Sequence, residues 1–234
     1  MTVTTTARAR ARAEITEEIK RVARRHLAEH GTDLSLRAVA RDLGMASSAV
    51  YRYFPSRDDL LTALIVDTYD AVGETAEQAV EAAAAGVAAQ WLAMASAIRG
   101  WALAQPHDYA LVYGSPVPGY QAPQATIAPA SRVGYLALRI VADGVRTGEI
   151  TGVAGGPIPV EVREDFVGIE RETGLEVPDA VLSRALVAWT SLFGTISFEL
   201  FGHLHNVIHD FDAFFGSQMQ RAAQFVISGD GDSR

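Results

Sequence analysis

Apolar residues recur at helical spacing along most of the chain, and strand-like alternation is nowhere sustained. From Glu14 onward, Ile15, Ile19, Val22, Ala23 and Leu27 fall at i, i+4, i+7, i+8 and i+12, with Lys20, Arg21, Arg24 and Arg25 between them. Gly31 ends this first helix. Ser35 is placed to N-cap a short second helix whose inner face is Leu36, Val39, Ala40 and Leu43, and Gly44 closes it. A brief third segment, Ala46 to Phe54, stops at Pro55. Ser56, with Asp59 three positions later, has capping-box spacing and opens a fourth helix with the stripe Leu60, Leu61, Leu64, Ile65 and Thr68.

Beyond residue 80 the chain turns alanine-rich and weakly charged but stays helical. Trp91 to Ala104 ends at Pro106, and His107 to Tyr113 makes a short step. Gly114 to Pro129, with four prolines, is expected as a loop; Ser131 to Thr147 is amphipathic and stops at Gly148. A second loop carries Gly152, Gly155, Gly156, Pro157 and Pro159. Val160 to Thr173 is helical up to Gly174, Pro178 suits the first turn of a long helix reaching Gly202, and Asp210 caps a phenylalanine-rich last helix. The fold class is all-α: an N-terminal three-helix unit, then a larger helical body. The expected division is an arm at 1–13, a head at 14–57, a body at 58–228 and a tail at 229–234.

Composition narrows the picture. The 234 residues are 49% hydrophobic and 21% charged, enough to bury a core. There is no cysteine, which excludes disulfides, thiolate metal sites and cysteine nucleophiles, and fits a reducing, cytoplasmic setting. No secretory signal is apparent. The uncharged run Ala82 to Ile98 is mostly alanine and too weakly apolar to span a membrane, so it reads as buried helix.

Net charge is −8, yet residues 1–57 hold eleven basic and six acidic groups, a balance of +5 that leaves −13 on the remainder. A basic head on an acidic body is the polarity of a protein that turns one end to an anionic partner. Two short helices joined at a glycine turn, with Val39 and Ala40 inside, form a helix-turn-helix whose second helix can enter the major groove.

The core of LSLRAVARDLG, the run AVYRYFPSRDDLL and the length of the first helix resemble the N-terminal domain of the TetR family of bacterial regulators. The resemblance implies a homodimer that binds double-stranded operator DNA and releases it when a small-molecule effector occupies the C-terminal domain. Ser35 and Arg37 stand at a helix start suited to phosphate, and Arg57 at another. The Tyr51 and Tyr53 hydroxyls can donate to phosphate, while base reading falls to Ser47, Ser48 and Arg52. Ala46 stands where the family usually has a capping Ser or Thr. Arg8, Arg10 and Arg12 are candidates for a minor groove, with a solvated tail as the alternative.

In the body, Trp101, Tyr109, Tyr113 and Trp189, with Tyr120 beside them, are candidate walls of a largely apolar ligand pocket. Trp189, Leu192, Ile196, Phe215 and Met219 are candidate dimer contacts, because the long helix is apolar on more than one face. A two-fold axis would ask for a palindromic operator. His203, His205 and His209 lack a placed third ligand, so no metal is expected, and no cofactor. No nucleophile elbow, P-loop or dinucleotide fingerprint is present, so no enzyme is expected. A repressor is the leading reading; an activator of the same fold, or a helical interaction module that has lost DNA binding, are the alternatives.

Overall fold

The computed structural model describes residues 7–31, 34–151 and 157–229. Among these it holds ten α-helices, one short 3-10 turn and no strand. The helices are α1 (Ala7–His30), α2 (Leu36–Asp42), α3 (Ser47–Val50), α4 (Arg57–Ala82), α5 (Val87–Ala104), α6 (Pro106–Tyr113), α7 (Ile127–Thr147), α8 (Val160–Thr173), α9 (Asp179–Leu200) and α10 (Phe211–Ser228). They divide into two compact units: residues 1–69 with 107–129, and residues 70–106 with 130–234.

The first unit, the head, is built on Ile19, Val22, Val39, Val50, Leu60 and Leu64, all buried. The expected stripes of the first, second and fourth helices meet there, so the 3.6-residue period located these core positions. Tyr53, Leu43 and Leu111 pack at its margin. His26 at the end of α1 bonds Asp42 at the end of α2, Nε2 to Oδ2 at 2.8 Å. That contact, with Arg25 at 3.2 Å from the same oxygen, holds the Asp42 carboxyl below its usual range.

Three boundaries differ from expectation. Residues 7–13, assigned to an arm, are the first turns of α1, because alternating alanine and arginine are both strong helix formers. The third helix keeps only Ser47 to Val50 as α-helix; Tyr51 to Tyr53 are turns, the approach to Pro55 disfavouring continued helix. α7 starts at Ile127 rather than Ser131, since Pro129 is tolerated in a first turn. Met1 to Thr6, Gly152 to Gly156 and residues 230–234 lie outside the described residues.

The second unit, the body, packs α10 against α5 and α9, with α8 on α9. The uncharged run from Ala82 is not one helix: it breaks at residues 83–86, where Gly86 has φ +115°. Gly86 has no side chain to cap α5, and the Glu149 carboxylate does so instead, accepting from the Val87 N–H at 2.9 Å. Arg99 on α5 makes a two-pronged bond to Glu199 on α9, both at 2.7 Å, and another to Asp212 on α10. α9 is apolar and long enough to cross a membrane, but a core helix meets the same criterion, and its Val181, Leu192 and Ile196 are buried in this unit.

Candidate nucleic-acid interface and ligand cavity

The head presents the sequence-predicted groups from a short, tightly closed frame. Ser35 caps α2, its hydroxyl accepting from the Ala38 N–H at 3.5 Å, and Arg37 is exposed one position inside the helix. Gly44 takes φ +65°, which lets the chain reverse while the Met45 N–H bonds back to the Ala40 carbonyl at 2.9 Å. Ala40 is fully buried, so α2 and α3 cross closely. α3 begins at Ser47 with Ala46 as an N-cap that offers no side-chain bond. Its first turn closes instead on the Ala46 carbonyl, which accepts from the Ala49 N–H at 2.8 Å.

Ser48, Tyr51 and Arg52 are exposed, with Ser47 and Arg57 half-buried. Tyr53 is also half-buried, its ring against the core. Arg12, from the first turns of α1, lies over that ring at 4.8 Å and reaches the Arg52 carbonyl at 3.4 Å. Arg57 pairs with Asp58 at 3.2 Å. All eight expected DNA-facing residues therefore belong to this one unit. Arg12 joins them as a brace on Tyr53; the Ala-Arg repeat was its signal in the sequence.

The aromatic residues expected around a ligand part company. Tyr109 is fully buried in the head, 5.1 Å from Tyr113, and Tyr113 meets Tyr69 edge-on at 6.0 Å. The proline-rich loop folds back onto α4, where the Tyr120 hydroxyl meets Thr62 at 2.9 Å and the Tyr69 hydroxyl donates to the Val112 carbonyl. Burial pushes the Tyr113 phenol well above its ordinary pKa, keeping it neutral. Tyr109 and Tyr113 are thus head residues, not cavity walls, and Trp101 is half-buried on α5 away from the cavity.

The body holds a cavity of about 280 Å³ between α5, α7, α8, α9 and α10. Of the expected residues only Trp189 lines it, steadied by Phe193 at 4.7 Å. Trp91 and Tyr135 complete its aromatic wall, with Leu138, Ile169 and Leu182 among the aliphatic neighbours. At its polar side the Tyr135 hydroxyl donates to Glu172 at 3.3 Å. Five separate helices contribute, so no single stretch of sequence announces the cavity.

Leu192, Ile196, Phe215 and Met219 are buried in the core of one chain and offer no surface to a partner. α5, α9 and α10 of the same chain pack on one another and cover them. What α9 leaves exposed is another face, with Val187 at 53% and Phe198 at 53%, continued by Phe201 at its C-cap at 46%. His203 and His205 follow the end of α9 in turns, stacked near Phe198 and Phe211, so the helical i, i+4 pairing of His205 with His209 is not formed.

With this geometry in place, relatives decide the family. A model of the bacterial regulatory proteins of the tetR family matches residues 19–64, and one of the tetracyclin repressor-like C-terminal domain matches residues 91–222. The chain belongs to the TetR family. It is 43% identical over 198 residues to the HTH-type transcriptional regulator Rv1816 of Mycobacterium tuberculosis, covering 82% of this chain and 83% of that one. The crystal structure of the regulatory protein SCO4313 superposes with a TM-score of 0.76 at 32% identity, covering 93% and 98% of the two chains. RolR, solved with resorcinol, shares the fold at a TM-score of 0.52 and 18% identity, over 93% and 95%. This TetR-family chain is a DNA-binding transcriptional regulator of TetR type and not an enzyme.

Proposed function

We propose that this regulator is a cytoplasmic homodimeric repressor, released from a palindromic operator when a small, largely apolar effector fills the body cavity. The observation that carries the reading is the cavity itself: an apolar space walled by Trp91, Tyr135 and Trp189 with a few polar groups at one side. That is the make-up of a small-molecule site. Resorcinol in RolR is a small ring of the kind such a space takes.

In this reading Tyr51, Tyr53, Ser35, Arg37 and Arg57 hold phosphates while Ser47, Ser48 and Arg52 face bases. The short side chains at Ala46 to Ala49 leave much of the readout to DNA shape and water. The exposed face of α9, with Val187, Phe198 and Phe201, meets its copy across the two-fold. That axis sets the recognition helices about 34–36 Å apart, or a multiple of it.

The body also contains a lever. Arg132, beside the cavity-lining Ser131 on α7, grips Glu77 on α4 with bonds of 2.7 and 2.6 Å. It passes so close to Gly73 that a Cβ there would lie 2.5 Å from Arg132 Cδ. A ligand that shifts α7 therefore pulls on α4, whose first turns carry Arg57, Leu60 and Leu64. The effector releases DNA only through a difference in affinity between the two positions of this lever.

Fluorescence anisotropy against the DNA flanking the chain's own gene, run across a salt series, tests the reading. Wild type should bind a palindrome tightly, with affinity falling steeply as salt rises. Tyr53→Phe with Arg57→Ala should weaken binding and flatten the salt slope by about one for each phosphate that is no longer neutralised. Binding that is indifferent to salt, or a tight ligand that leaves operator affinity unchanged, would remove the repressor account.

A further inference from the structure

One charge stands among the walls of the body cavity. Glu172 lines it, and among the described residues no lysine, arginine or histidine does. The Tyr135 hydroxyl donates to Glu172 Oε1 at 3.3 Å, which leaves Oε2 without a donor among the described residues. Both side chains are exposed, so the carboxylate stands at the mouth of the cavity, whereas the lining Trp91, Ile140 and Leu182 are buried. The site is therefore amphipathic, with an apolar depth and an acidic rim.

Two further features give the mouth the same sign. Ile169, Glu172 and Thr173 belong to the last turn of α8, whose carbonyls are the negative end of the helix dipole. The chain beyond residue 57 carries −13, a field that draws cations toward the body. An anionic group here would meet the carboxylate with no counter-charge beside it. A protonated amine gains the carboxylate and the nearby rings of Tyr135 and Trp189, and at an open mouth it keeps part of its hydration.

We infer that the effector is an amphipathic amine, with a compact apolar body inside the cavity and one protonated nitrogen at the mouth against Glu172. This rests on the cavity being the effector site. It excludes carboxylates such as fatty acids, and it makes Glu172 the residue that reads charge while Trp91 and Trp189 wall the apolar body.

Three probes of one skeleton test this on the full-length protein by titration calorimetry: 2-aminotetralin, 2-tetralol and 1,2,3,4-tetrahydro-2-naphthoate. At neutral pH the first is a cation, the second is uncharged and the third is an anion. The amine should bind about fivefold more tightly than the alcohol, the scale of an exposed charge pair, and the carboxylate about fivefold more weakly. Salt at about 1 M should close most of both gaps in the wild-type protein, a readout that needs no variant. Glu172→Gln should bring the amine down to the alcohol and leave the alcohol unchanged. Ala185→Leu, in the cavity wall, should weaken all three alike.

Equal affinities for amine and alcohol, a carboxylate that binds best, or an amine preference that survives Glu172→Gln would overturn the inference while leaving the cavity an effector site. Binding indifferent to Ala185→Leu, or failure of every probe to bind at about 1 mM, would overturn the cavity reading, and this inference with it.

Discussion

The head and the body solve opposite problems with the same kind of helix. In the head, the helices close on a core in which Ile19, Val22, Leu60 and Leu64 are buried, while Arg37, Tyr51 and Arg52 stand outward. In the body, α5, α7, α8, α9 and α10 leave space between them, and residues from all five wall it. A reader of a rigid duplex needs its side chains held at fixed separations, which close packing supplies. A sensor needs two packings of similar energy, and an apolar void is where a ligand can choose between them.

The largest test of that contrast is a pair of core changes. Leu64→Ala, deep in the head, should cost about 2–5 kcal/mol in chemical denaturation, because the close-packed surroundings cannot collapse into the hole. If the destabilisation were under about 1 kcal/mol, the head would not be the rigid member of the pair. In the body, Ala185→Leu adds bulk to the cavity wall rather than removing it. Operator binding and thermal stability should hold, while the effector's affinity falls at least about tenfold, roughly 1.4 kcal/mol. A variant that still responded to effector would place the ligand elsewhere.

A smaller effect sharpens the head alone. Arg12→Ala removes the cation from the Tyr53 ring and should cost about 0.5–1 kcal/mol of stability, read from the denaturation midpoint. The accompanying drop in operator affinity should shrink as salt rises if Arg12 also meets phosphate. Smallest of all is a dependence on acid. Asp42 has its pKa lowered by the His26 bond first and by Arg25 after it. A depressed carboxylate contributes stability above its unfolded pKa, about 3.9, and loses it as pH falls through the folded value. The join of α1 to α2 should therefore loosen below about pH 4, and Asp42→Asn should flatten the stability profile over that acid range.

How far each unit is legible in the sequence follows from the range of the forces involved. The turn at Gly44, the Ser35 cap, and the Ser56–Asp59 pair are contacts between residues three to five apart, so sequence spacing reports them directly. The eight residues expected to face DNA lie on or beside those same turns and arrive together. Trp91 and Tyr135 carry no such signal, because neither stands near the other in sequence. An aromatic in an alanine-rich helix has the same appearance whether it fills a core or walls a cavity. α9 shows the limit most plainly. Its apolar residues surround the helix, so periodicity could not say which face meets α5 and α10 and which stays open.

Helix starts and stops, the all-α class, the split of charge between head and body and the family itself are all set by local chemistry, and the linear order of residues carries that chemistry whole. The reach of α1 back to Tyr53, the removal of Tyr109 and Tyr113 to the head, the exchange of Leu192 and Ile196 for Val187 and Phe198 as open surface, and the Tyr135–Glu172 bond at the cavity belong to the folded chain only. Each depends on which distant helix covers a given side chain, and burial is a property of neighbours, which sequence spacing does not contain.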